Sequence, residues 1–261
     1  MKLIAVGLLT GWGEGVGALP GDARQAAAGR DVVPAAAPGM DGERFRRATR
    51  ECVLGVAAVH AMLRQAGLHP VDIAGEGTAL IYVTAAAYGA SNRAFIEAAS
   101  TREGAGALHF PYTAPSAVAA EVAIEFGLTG PYIILIGGGT ATVEALAQAD
   151  RLLAAAAAQR ALVLAVETFA ECADLYARAR RLAGRPLVEA AACALLHPGP
   201  PALTVRPATG ASALDDVARR RAGETFACGP LIGLALARET GDDPWSLTGR
   251  WRGRRAALAR R

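Results

Sequence analysis

Three short apolar runs constrain this chain's fold more than any other feature: TALIYVT (Thr78–Thr84), YIILIG (Tyr132–Gly137) and ALVLAVE (Ala161–Glu167). Each is short for a buried helix and too evenly apolar for a strand with one wet face. Helical patterns lie between them. Gly42–Ala66 puts Phe45, Cys52, Val56, Val59 and Leu63 near one face, with Arg46, Arg47, Arg50 and Arg64 mostly off it. Gly67 is placed to cap that helix and Pro70 blocks its continuation. Further helices are expected around Asn92–Ala99, over Ser116–Phe126 with Gly127 ending it, and through TATVEALAQADRLLAAAAAQ. Strands alternating with helices imply a mostly parallel sheet in a layered α/β/α fold. The alanines of the long helix permit close approach on several sides, so it is expected at the centre of the layers.

Around this frame, Lys2–Val6 reads as a strand, and VEAAACALLHP and ALTVRPA as two more, paired with each other. GPLIGLALARE reads as a short helix. From Thr240 on, the chain reads as a basic, solvated tail, with contact to an acidic carrier protein as the alternative.

Composition removes several function classes. A net charge of +3 over 261 residues does not suit a dedicated nucleic-acid binder. A hydrophobic fraction of 52% supplies a sizeable core. Cys52, Cys172, Cys193 and Cys228 sit among apolar neighbours without CxxC spacing, so they read as reduced, buried thiols. No cluster of cysteine and histidine suggests a metal, and no cofactor is implied. The opening MKLIAVGLL is brief for a signal sequence, and no run reaches the roughly 20 apolar residues of a membrane helix. A cytoplasmic protein is expected. GWGEGVG follows a strand but does not contain GxGxxG.

The stretch LIGGGTATVEAL (Leu135–Leu146) admits three readings. A phosphate loop would want GK after the glycines, and only Thr140 is present. A tight packing turn needs no chemistry. A strand running into a helix N-terminus is also where a nucleophile is useful, because the helix dipole lowers a thiol's pKa.

FPYTAPSAVAAEVAIEFGLTGPYIILIGGGTATVEALAQADRLLAAAAAQRALVLAVE resembles the N-terminal half of the β-ketoacyl synthases, with its GLTGP junction ahead of the nucleophile strand. KLIAVGLLTGWGEGVGALPGDARQAAAGRD resembles the family's opening, and ERFRRATRECVLGVAAVHAMLRQAGL its first long helix. The resemblance implies a thiolase-like fold with a reduced second half. It divides the chain into a ketosynthase-like part at 1–196, a remnant of the second half at 197–239, and the basic tail at 240–261.

The same resemblance puts Gly139 where the family has its cysteine, so no acyl-enzyme forms there. GETFACGPLIGLALA resembles the family's glycine-histidine segment and puts Glu224 where the second histidine would stand. His60, His69, His109 and His197 are not placed to substitute, and no base accompanies Cys172 or Cys228. A short chain of this kind resembles the chain-length factors of aryl-polyene and type II polyketide systems. That implies a heterodimer with a catalytic ketosynthase, through the strand before Gly139, and an acyl carrier protein served by the complex. Ala86, Tyr88, His109, Phe110 and Tyr112 are then candidates for the acyl-tunnel floor or the dimer contact. Two alternatives stay open: a malonyl-carrier decarboxylase or minimal condensing enzyme, and a homodimeric acyl-binding or scaffold protein.

Overall fold

The computed structural model describes residues 1–36, 38–40, 42–46, 48–101, 110–169 and 184–260. The strands are β1 (Lys2–Thr10), β2 (Gly13–Glu14), β3 (Val32–Val33), β4 (Thr78–Thr84), β5 (Tyr132–Ile136), β6 (Arg160–Glu167), β7 (Leu187–Val188), β8 (Ala190–His197), β9 (Leu203–Pro207), β10 (Thr248–Trp251) and β11 (Arg254–Arg260). The helices are α1 (Ala23–Ala27), α2 (Arg50–Ala66), α3 (Gly89–Thr101), α4 (Ser116–Phe126), α5 (Gly139–Ala154), α6 (Ala213–Ala222) and α7 (Gly229–Thr240).

The main sheet has the order β2-β1-β8-β6-β4-β5. β4 pairs in parallel with both β5 and β6, while β8 runs antiparallel between β6 and β1. Four of its six strands therefore point the same way. Residues alternate between two cores along each strand. Leu80, Tyr82, Leu162 and Leu164 pack under α2 and α4. Ala79, Ile81, Val83 and Val163 pack under α5 and α7. Both faces are covered, which accounts for the even apolarity of β4 and β6.

The last stretch of chain departs from expectation. It is an ordered hairpin, not a solvated tail: Arg252 (φ 48°) and Gly253 (φ 80°) form a two-residue turn between β10 and β11. Two positive φ values match the right-handed twist of the flanking strands. β11 then pairs with β9, so residues on both sides of Thr240 make one three-stranded sheet. β8 and β9 are accordingly not partners; β8 is taken up by β1 and β6. The small sheet lies on α5, where Asp150 Oδ2 accepts from the Leu203 N–H at 2.8 Å. The alanine-rich helix is thus held between two sheets.

Two other boundaries shift. The pattern from Gly42 is not one helix: Glu43–Arg46 is a 3-10 turn, Thr49 is extended, and α2 begins at Arg50. Tertiary anchoring overrides periodicity here, because the Arg50 guanidinium binds Glu189 and the Ala35 carbonyl. β5, expected to be covered on both faces, is the sheet's edge, with Tyr132 45% and Ile136 53% exposed. Its apolar sequence serves an open edge.

Candidate degenerate active site

The main chain makes a tight passage from β5 into α5. Gly137 N–H donates to Thr84 O at 2.9 Å, and Gly138 is the N-cap of α5 without any side chain to cap it. Gly139 opens the helix and is buried. Above it crosses β10. A Cβ on Gly139 would stand 3.0 Å from Arg250 N and 3.2 Å from Gly249 Cα. A Cβ on Gly138 would stand 2.3 Å from the Trp251 ring. A Cβ on Gly249 would stand 2.0 Å from Gly139 O, well inside contact distance. Glycines on both sides permit two backbones to touch, and the hairpin lies across Gly139.

Glu224 reaches the same place. Gly139, Glu224, Arg219, Asp215, Phe226 and Arg250 line a cavity of about 10 Å³. That is about the space one water requires. Glu224, 7% exposed, accepts from Arg250 Nη2 and from the Phe226 N–H at 3.3 Å. Arg219 Nη2 lies 3.7 Å from the same carboxylate. Burial pushes the Asp215 carboxyl up, and the Arg219 and Arg250 charges pull it back. Two arginines and two carboxylates therefore meet beside Gly139. Phe226 (φ 46°) stacks edge-on with Phe169 at 5.1 Å and with Trp251 at 5.2 Å, closing one side.

Glu167, at the end of β6, is fully buried. Its carboxylate accepts from the N–H groups of Ala85 (2.7 Å), Ala86 (2.8 Å) and Ala227 (3.1 Å) and from Thr84 Oγ1 (3.4 Å). It ties the end of β4 to the Phe226 turn. Burial pushes its pKa up to about 8 against those donors. The protonated form is favoured by folding, so its contribution is whole below the ordinary value near 4.5 and is lost as pH rises through about 8. The melting temperature of the parent chain should fall between pH 5 and 9 relative to Glu167→Gln; parallel curves in differential scanning calorimetry would contradict this.

The other candidates separate. Asn92 Nδ2 donates to Tyr88 O (2.8 Å) and Thr113 O (2.9 Å), which brings Tyr88 beside the turn holding Phe110 and Tyr112. Phe110 is 63% exposed and meets Phe95 with ring centroids 5.9 Å apart. Ala86 does not join them. It is 3% exposed and packs with Phe169 and Leu187. His109 and Cys172 lie outside the described residues. Cys52, Cys193 and Cys228 are buried free thiols, and burial raises all three pKa values. Among the described residues no His, Cys, Asp and Glu cluster could hold a metal, and no helix is long and apolar enough to cross a membrane.

Arg219, Asp215, Gly249, Arg250 and Trp251 escaped sequence reasoning. One signal was available: RG between TGRW and RRAALAR marks a hairpin turn between two strand-like runs.

Residues 16–186 match the β-ketoacyl synthase N-terminal domain, and the chain belongs to that family. No curated relative matches it. Among solved structures it is similar to the ishigamide ketosynthase/chain length factor, with TM-score 0.69 and 18% identity over 99% of this chain and 98% of that one. It is similar to a ketosynthase in complex with its chain length factor from Xenorhabdus doucetiae, with TM-score 0.67 and 10% identity over 99% and 98%. A third likeness is to a type II polyketide synthase acyl-carrier protein in complex with its ketosynthase bound to the hexaketide, with TM-score 0.70 and 14% identity over 98% and 97%. The fold is thus thiolase-like, as the family requires.

Proposed function

We propose that this chain is a non-catalytic ketosynthase-like subunit that pairs with a catalytic β-ketoacyl synthase and shapes its acyl tunnel. The carrying observation is the closure over Gly139: it has no side chain and β10 lies on it. A thioester has no thiol to acylate and no space to enter. The open β5 edge supports pairing, because an exposed apolar edge strand needs a partner to cover it. Two of the solved structures named above pair a ketosynthase with a chain length factor, and the third pairs a ketosynthase with its acyl-carrier protein. The complex would work in the cytoplasm, where buried free thiols stay reduced.

Tyr88, Phe110 and Tyr112 are the residues proposed to meet the partner or its tunnel, with Phe110 the most exposed of them. Co-expression with catalytic ketosynthases from the same genome tests the pairing by co-purification. Replacing Phe110 by alanine in that complex should alter the length distribution of its products. An unchanged distribution would remove Phe110 from the tunnel, and failure to co-purify would contradict the pairing itself.

A further inference from the structure

A cleft between α1 and the segment entering β7 has no part in that reading. It measures about 350 Å³ and is lined by Arg24, Ala27, Gly29, Arg30, Arg185 and Pro186, with Gly184 at its rim. Three guanidinium groups meet there. Among the described residues none of the three is in an ion pair. Two are anchored by neutral acceptors. Arg30 donates from Nε to Ala27 O at 3.0 Å and from Nη2 to Ala26 O at 3.2 Å, and lies over the Trp12 ring. Arg185 Nη1 donates to Arg219 O at 3.0 Å.

Carbonyl anchoring orients a guanidinium without cancelling its charge, and each still has donors to spare out of five. Among the described residues Arg24 has no such anchor; its Nη2 lies 3.5 Å from where a Cβ on Gly184 would stand. Asp22, beside it in sequence, accepts from the N–H groups of Arg24 (2.8 Å) and Gln25 (3.3 Å) as the cap of α1.

We infer that this cleft binds a phosphate ester. Arginine's planar fork matches phosphate oxygens, and a dianion with three terminal oxygens can engage three forks. A carboxylate would satisfy one fork and leave two charges facing each other. Ala27, Gly29 and Pro186 give a small apolar floor for the organic part of the ester. The inference does not depend on pairing with a ketosynthase and is measured on the chain alone.

Titration calorimetry with inorganic phosphate, adenosine 3′,5′-bisphosphate and pantetheine 4′-phosphate tests it. Saturable binding of at least one ester, tighter than inorganic phosphate, is expected. Arg24→Glu should weaken it by about tenfold or more, since a guanidinium is replaced by a like charge of the ligand. Arg24 makes no side-chain hydrogen bond among the described residues, so the melting temperature should stay unchanged. Should it fall, Arg24→Gln removes the charge while keeping a polar side chain, and the same loss is expected. Whichever ester binds tighter identifies the source as a nucleotide or a pantetheine arm. Absence of saturable ester binding, inorganic phosphate binding as tightly as both esters, or unchanged affinity in the Arg24 variants would overturn the inference.

Discussion

Gly249→Ala should melt roughly 6–12 °C below the parent chain, about 3 kcal/mol spread over a chain of this size. The added methyl would stand 2.0 Å from Gly139 O and 2.9 Å from Thr140 N. Both are backbone atoms of α5, which itself is held between two sheets. Neither side can turn aside as a flexible side chain would, so β10 must lift. Lifting it would expose the buried ion cluster of Glu224, Arg219 and Arg250 and separate Trp251 from Phe226. Gly139→Cys meets the same obstacle from below, with Arg250 N 3.0 Å from its Cβ. That variant should remain unacylated by acyl thioesters although a helix N-terminus ordinarily activates a thiol. Thermal melts of Gly249→Ala indistinguishable from the parent would show that the hairpin does not sit on α5.

Ile134→Pro should weaken binding to the catalytic partner about 100-fold or more, equal to roughly 2.7 kcal/mol, while the lone chain keeps its fold. Leu80 N–H donates to Pro131 O and Gly137 N–H to Thr84 O, so residues 131, 133, 135 and 137 turn their backbone polar groups toward β4. Tyr132, Ile134 and Ile136 direct theirs to the open edge. A proline at 134 removes an N–H that β4 does not use, which an edge strand tolerates. A strand pairing across β5 would lose a ladder bond and meet the pyrrolidine ring. Unchanged co-purification of the proline variant would place the partner on another surface.

Most of the frame was legible because each core strand is covered by elements of the same chain. TALIYVT and ALVLAVE are continuously apolar because helices lie on both faces, and sequence pattern reports that directly. YIILI has the same pattern although it is an edge strand with Tyr132 and Ile136 exposed, and pattern alone does not distinguish the two. The helix from Arg50 was legible in type but not in its start, since Arg50's hold on Glu189 is a contact 139 residues away. Gly139 and Glu224, singled out in the sequence, line one small cavity in the structure. What was hidden is the closure. Arginines and glycines in GRWRGRR have the composition of a solvated end, and only pairing of β11 with the distant β9 turns them into a lid. Ala86 looked available because it is small, and burial beneath Phe169 depends on the fold.

Intact-mass spectrometry of the purified heterodimer after incubation with an acyl-loaded carrier protein tests the central claim most directly. The acyl mass should be found on the ketosynthase partner alone, with this chain at its unmodified mass. An acyl adduct carried by this chain would contradict the claim that its nucleophile position is both empty and shut.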